Sequence, residues 1–313
     1  MAIQLKTIWE ETNLKKVVLT VLATISILAL IWYIIWGLKP YDVDRQLIET
    51  RYSYNSVQPE MEITQESPTH FAFSYTTFDG TEVNGRLEYP HPLAKDMAKV
   101  PVFIGAHGMG RSDNRWFMDS FKERPTIEQT DKITEQALQA GYAVIAIDAR
   151  NHGKRKDLNY TIRDVMTNMH FWGKRDPYEV MIVDTVKDHR VLLDWLLSQP
   201  QFDHSNIAVG GYSMGGHVSL LLAAVDSRIS RVLSIVPPYL DDKVAIVAPK
   251  NFVEYVHVDK LWLVTANDDE HASEKENAKL FSAIAAADKK HVQFEGGHIL
   301  PEGYYETFTG WYE

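Results

Sequence analysis

Ser213 stands in Gly211-Tyr212-Ser213-Met214-Gly215-Gly216, with the apolar run Ile207-Ala208-Val209-Gly210 before it and Val218 to Val225 after it. A sharp turn from strand to helix needs small residues on either side of its tip, because the chain doubles back and the helix start packs on the strand. A serine ahead of a helix can also be a plain N-cap. The strand on one side and the helix on the other favour a nucleophile. A hydroxyl is a poor nucleophile at neutral pH, so this reading requires a histidine to take its proton and a carboxylate to orient that histidine. His298, in Glu295-Gly296-Gly297-His298, follows the last apolar strand, where a glycine-rich loop can deliver the ring; His291 sits at the opposite end of that strand. For the acid, the buried strand Leu261 to Ala266 empties into Asn267-Asp268-Asp269-Glu270, and Asp242 follows an earlier strand. The residue types alone leave Asp269, Asp268 and Asp242 open, and a carboxylate here can also cap the helix near Ser273.

The elements that must position these residues alternate along the chain. His70 to Thr77 and Thr81 to Tyr89 read as strands around Phe78-Asp79-Gly80. Further strands are expected at Val100 to Ala106, Tyr142 to Ala149, Ile207 to Tyr212, Val232 to Val236, Leu261 to Ala266 and His291 to Phe294. Helices are expected at Ile127 to Ala140, Tyr178 to Gln199, Met214 to Val225 and Ser273 to Ala287. Wholly apolar strands separated by helices imply a mostly parallel sheet covered on both faces, with an antiparallel pair at its start.

The order Ser213, Asp269, His298 along this alternation resembles the α/β-hydrolase superfamily, over His70 to the C-terminus. Ala266-Asn267-Asp268-Asp269 is similar to the Gly-x-x-Asp that follows the corresponding strand there, with Ala for Gly, and this likeness selects Asp269 with Asp268 as the alternative. Phe78-Asp79-Gly80-Thr81 and Asp148-Ala149-Arg150-Asn151-His152-Gly153 resemble the dienelactone-hydrolase and prolyl-oligopeptidase-like branch, in which esterases are common; Asn151 replaces a usual Gly in a structural loop. The resemblance implies an α/β-hydrolase fold and a serine hydrolase, most simply a carboxylesterase, that works through an acyl-enzyme without a cofactor. It implies two backbone donors for the oxyanion, the amides of Met214 and of Met109 in Ala106-His107-Gly108-Met109-Gly110. His107 is expected to pack within its loop. A peptidase or thioesterase of the same fold, or a binding protein without activity, is the alternative.

Val17 to Trp36 is twenty residues without a charge. At about 1.5 Å per residue such a helix crosses a hydrocarbon core of roughly 30 Å. Trp32, Tyr33 and Trp36 gather at one end, as rings at an interface do. Trp36-Gly37-Leu38-Lys39-Pro40 does not look like a cleavage site, so an uncleaved anchor is expected. Lys15 and Lys16 abut the run, which favours a cytoplasmic N-terminus and an extracytoplasmic catalytic domain. The expected organisation is an N-terminal flank (1–16), an anchor (17–36), a stalk (37–67) and the catalytic domain (68–313). The segment from Gly153 to Pro177 interrupts the alternation, either as a partial lid or as cover for the core. Its Met166, His170, Phe171 and Trp172, with Trp116 and Tyr239, are the candidate pocket lining. The stretch from Asp241 to Lys260 is too short for a large cap domain, so small or medium acyl esters are the expected substrates. A formal net charge of −10 disfavours a nucleic-acid partner, and the absence of cysteine removes thiolate chemistry and disulfides.

Overall fold

The computed structural model describes residues 2–56, 58–94 and 98–313, with the side chains from residue 14 onward. Among the described residues, eleven strands and seven α-helices follow in the order α1 (Ala2–Trp36), α2 (Arg45–Tyr52), β1 (Met61–Gln65), β2 (His70–Thr76), β3 (Glu82–Glu88), β4 (Val100–Ala106), β5 (Ser120–Phe121), β6 (Arg124–Pro125), α3 (Thr130–Gln139), β7 (Ala143–Ile147), α4 (Ile162–Trp172), α5 (Asp176–Ser198), β8 (Phe202–Tyr212), α6 (Met214–Val225), β9 (Arg231–Ile235), β10 (Lys260–Ala266), α7 (Glu274–Ala283) and β11 (Asp288–Phe294). Nine strands form one sheet in the order β1-β2-β3-β7-β4-β8-β9-β10-β11, and β5 and β6 make a separate hairpin. From β7 to β11 neighbouring strands are parallel, while β1, β2 and β3 join antiparallel.

The strands at the centre of the sheet are largely apolar because both sheet faces are covered there. Along β4, Val102, Ile104 and Ala106 enter one core and Phe103 the other; along β7, Ala143, Ile145 and Ile147 alternate with Val144 and Ala146 in the same way. Helices α5 and α6 cover the first face. On the second face, Ile133 and Ala137 of α3 meet Tyr304, Phe308 and Trp311 of the 3-10 helix Tyr304–Trp311, whose Trp311 indole N–H donates to the Val232 carbonyl at 3.1 Å.

The segment expected to be a stalk packs on the domain and adds elements to it. Asp44 caps α2 by accepting from the Leu47 amide at 2.8 Å, and Ile48 and Tyr52 of that helix are buried. Residues 61–65 add β1 to the sheet edge against β2. The Gly153 to Pro177 segment holds the 3-10 helix Gly153–Arg155 and α4, whose N-terminus is closed by a Thr161/Asp164 capping box. Val165 and Met169 of α4 are buried in the first core and Met166 packs on it, so this helix does cover the domain's own interior.

Candidate active site

Parallel strands place their carboxyl ends along one edge, and the loops that leave this edge hold all three sequence-selected side chains. Ser213, directly after β8, has φ 58° and ψ −118°, a conformation that costs a non-glycine residue free energy and persists where its surroundings hold it. They do so here: the Ser213 amide donates to the Ile235 carbonyl at 2.8 Å, and its carbonyl accepts from the His217 amide at 3.0 Å. The neighbouring glycines permit the turn. A Cβ on Gly211 would lie 2.1 Å from the Gly215 carbonyl carbon, and one on Gly215 would lie 1.9 Å from the Ala106 oxygen. The first turn of α6 is thereby pressed against β4 and β8, with its amide dipoles pointing at the serine.

His298 reaches Ser213 from the loop after β11, its Nε2 lying 2.8 Å from Ser213 Oγ. Its Nδ1 lies 3.1 and 3.0 Å from the two oxygens of Asp269, after β10. With Nδ1 protonated and donating to the carboxylate, Nε2 is left as the acceptor facing the hydroxyl. Asp269 is buried, and its Oδ1 also accepts the His271 amide at 2.8 Å. Asp268 is exposed; its amide donates to the Gly296 carbonyl at 3.0 Å. Asp242 pairs with Lys250 and accepts from Asn251, away from His298.

Several groups that hold this arrangement were not apparent in the sequence. Tyr212 Oη donates to the His298 carbonyl at 2.8 Å and accepts the Leu300 amide at 3.1 Å, fixing the histidine loop on both sides. Glu270 accepts the His298 amide at 3.1 Å. The His271 ring stands edge-on to that of His298, centroids 4.5 Å apart. Tyr212, adjacent to the serine, and Glu270, adjacent to the acid, could have been suspected from position alone.

The loop after β4 lies against the serine, since a Cβ on Gly108 would come 3.8 Å from that of Ser213. Met214 is buried at the start of α6 and Met109 is partly buried on the first core. Both His107 ring nitrogens are occupied: Nε2 accepts the Ala149 amide at 3.0 Å and Nδ1 donates to the Gly108 carbonyl at 2.9 Å. Burial pushes its pKa down to about 4, so this ring is a neutral strut between two loops. The Phe78-Asp79-Gly80-Thr81 and Asp148-to-Gly153 motifs are likewise structural. Arg150 binds Asp79 at 2.6 Å and Asp188 at 2.7 and 2.8 Å, and Arg155 adds 2.7 Å to the same buried Asp188.

The candidate lining divides. Trp116 is a correction: it is fully buried in the second core, its ring centroid 5.5 Å from that of Phe103, because the loop after β4 turns it inward over the sheet. His170, Phe171 and Trp172 are exposed at the end of α4, and Trp172 meets Trp36 edge-to-face at 5.5 Å. Tyr239 stays by the site, its amide donating to the His271 carbonyl at 3.0 Å. A cavity of about 270 Å³ between Arg86, Arg111, Asp113 and Lys154 takes in none of Ser213, Asp269 and His298.

Comparison with solved structures finds the same fold. An acetyl xylan esterase from Paenibacillus sp. R4 superposes with a TM-score of 0.68 at 17% identity, covering 88% of this chain and 96% of that one. Acetyl xylan esterase 1 from Thermoanaerobacterium sp. JW/SL YS485 gives 0.64 at 17% identity, with 87% and 98% covered. An esterase of Pyrococcus furiosus gives 0.53 at 18% identity, with 82% and 93% covered. No curated protein matches the sequence. Residues 102–288, more than half of the chain, match the model of the alpha/beta hydrolase family. A nine-stranded, mostly parallel sheet whose carboxyl edge gathers Ser213, His298 and Asp269 agrees with that match, and the chain belongs to the alpha/beta hydrolase family.

Proposed function

We propose that this protein is a membrane-anchored serine hydrolase that cleaves carboxylic esters of small or medium acyl chain through an acyl-enzyme. The observation that carries the reading is the contact of Ser213 Oγ with His298 Nε2 at 2.8 Å, in series with His298 Nδ1 and Asp269 at 3.0 Å. His298 takes the Ser213 proton as Oγ attacks the ester carbonyl, and Asp269 holds the ring and stabilises the imidazolium. The amides of Met214 and Met109 donate to the oxyanion; each such donor contributes roughly 2.7–4 kcal/mol. His298 then passes its proton to the leaving alkoxide, which departs as the alcohol. Water repeats the sequence on the acyl-Ser213 ester and releases the acid. Tyr239, beside His271, is the side chain we assign to the pocket wall. Esterases among the structural neighbours support ester hydrolysis.

Leu14–Trp36, which holds an 18-residue window of mean hydropathy 2.5 with no residue of it buried in the protein, supports the anchor. Lys15 and Lys16 favour a cytoplasmic N-terminus, with the domain on the other side. The test is covalent labelling: a fluorophosphonate should modify purified protein at Ser213, located by peptide mass spectrometry, and abolish turnover of p-nitrophenyl esters. Turnover that survives stoichiometric labelling of Ser213 would refute the mechanism. A protein that neither labels nor hydrolyses would be the binding module.

A further inference from the structure

We propose that the active site opens toward the membrane that holds the anchor, and that its substrate is an amphiphile whose ester lies at the bilayer surface while its apolar part stays in the lipid. This rests on the ester-hydrolase reading and adds the substrate class. In a parallel sheet each connecting helix runs back against the strands, so α5 begins at the carboxyl edge and ends at the opposite one, where β8 starts. The apolar helix meets the domain at the beginning of α5. Arg175, the residue before α5, donates to the Lys39 carbonyl at 2.8 Å and to the Lys243 carbonyl at 2.7 Å. Tyr41 donates from its hydroxyl to Glu179 at 2.7 Å and from its amide to the Asp242 carbonyl at 3.0 Å. Asp242 and Lys243 come after β9, whose exit passes Tyr239 and, through the Tyr239 to His271 hydrogen bond, reaches the ring packed on His298. The anchor is thus seated on the edge that carries Ser213.

The surface next to it suits a bilayer. Trp32 donates its indole N–H to the Phe171 carbonyl at 2.9 Å, and Trp36 packs on Trp172. Trp32 lies one turn, about 5 Å, further into the apolar helix than Trp36, so the end of α4 reaches the depth at which indole rings occupy the interface. Phe171 is 61% and Trp172 49% exposed there, beside the apolar helix and not within it. On the same edge Ile299, next to His298, is 48% exposed. Lys39 folds back over the Tyr33 ring at 3.4 Å and donates to the Tyr33 carbonyl, as a cation does at the end of a span. An apolar rim continuous with a spanning helix is a surface for lipid.

Two measurements on the full chain test this. The sequence has no cysteine, so Ile299→Cys and Leu197→Cys each give one labelling site, beside His298 and near the far end of the 23-residue α5. That helix separates the two edges by roughly 35 Å. In phosphatidylcholine vesicles containing spin-labelled lipid, a fluorophore at 299 should be quenched at least threefold more than one at 197; Tyr239→Cys replaces the first if it fails to fold. Equal or reversed quenching overturns the orientation. The second measurement compares two acetates. Protein in vesicles containing octadecyl acetate should release acetate at least tenfold faster than protein mixed with separate vesicles carrying it, while p-nitrophenyl acetate is cleaved equally in both. Equal rates on octadecyl acetate, or none while p-nitrophenyl acetate is cleaved, overturn the substrate class alone. Loss of cleavage of both acetates by a protein with intact membrane insertion refutes the hydrolase reading, and the substrate class with it.

Discussion

Replacing Asp269 by Asn keeps the shape of the side chain and removes its charge, and the contacts of the carboxylate determine the consequence. Both oxygens lie within 3.1 Å of His298 Nδ1, and Oδ1 also accepts the His271 amide at 2.8 Å. An amide has one oxygen for these donors and an NH2 group in the other position. If the oxygen keeps the Oδ1 place, the NH2 at Oδ2 faces Nδ1 from 3.0 Å; if it is turned the other way, the NH2 meets both His271 N–H and Nδ1. Either way an N–H points at Nδ1, which favours the tautomer protonated on Nε2. That tautomer donates to Ser213 instead of receiving its proton, so the general base is lost with the fold intact. We expect kcat/KM for p-nitrophenyl acetate to fall about ten-thousand-fold, equivalent to roughly 5 kcal/mol of transition-state stabilisation. Asp268→Asn, on an exposed side chain in the same loop, should stay within about twofold. The assay is steady-state hydrolysis at pH 7.5, with circular dichroism to confirm folding. An Asp269→Asn enzyme within tenfold of the parent, or a larger loss in Asp268→Asn, would refute the assignment.

Ser213→Ala should abolish turnover while shifting stability by no more than about 1 kcal/mol, because a small hydroxyl is removed and no packing; residual burst kinetics with a p-nitrophenyl ester would move the nucleophile elsewhere. Burial pushes the pKa of His107 and His217 down to about 4 and that of His152 to about 3. The unfolded chain binds protons at these rings from pH 6.5 downward and the folded one does not, so stability should decline as pH falls from about 6.5 to 4. Urea unfolding midpoints at pH 7 and pH 5 check this, and a midpoint independent of pH over that range contradicts it. The full-length protein should remain in membranes through high salt and carbonate, because apolar burial and not charge retains it. Release by either wash, or a mature N-terminus beyond Trp36, would remove the anchor.

Ser213 and His298 were legible because strand, glycines and helix, or strand, glycines and loop, make a pattern with few physical solutions. Asp269 and Asp268 were not separable from residue type, since adjacent carboxylates differ only in which way the backbone turns them. In the folded chain the Asp269 carboxylate lies 3.0 Å from His298 Nδ1 while Asp268 is exposed, an arrangement that exists only once β10 and β11 are side by side. The strands of the sheet centre were legible from unbroken apolar runs. Strand β1 was not: in Met61-Glu62-Ile63-Thr64-Gln65 the last four residues are exposed, so an edge strand held by backbone pairing alone leaves no burial signal. Helix α2 buries only Ile48 and Tyr52 in eight residues, too few for a period. Trp116 misled because an aromatic ring after β4 suits a pocket wall and a core equally, and only the tertiary path of the loop distinguishes them.

Several buried charges of this fold lie where loops leave the carboxyl edge, and that placement bears on the site. Asp188, wholly buried on α5, accepts from Arg150, from Arg155 and from Thr77 Oγ1, so one carboxylate ties α5 to the loop after β7 and to the turn after β2. Asp148 accepts the Asp113 and Lys154 amides, joining the loops after β4 and β7, and His107 joins them again through Ala149. Burying such groups is costly unless every partner is supplied, and removing one partner of a buried pair costs about 3–5 kcal/mol. An apolar interior could supply cohesion more simply, but apolar contacts tolerate sliding and hydrogen-bonded charge does not. The loop after β4 is the one that would present Met109 to an oxyanion, where donors must stand within about 3 Å of a charge that exists only in the transition state. Fixing that loop from two sides with directional bonds holds its amides in place before substrate arrives. The same α5 that receives Arg150 and Arg155 receives, at its first turn, the segment that follows the apolar helix, through Tyr41 and Glu179. On the proposal that the apolar helix spans a membrane, α5 and the residues after β9 that bind Tyr41 and Arg175 together set how the site faces it.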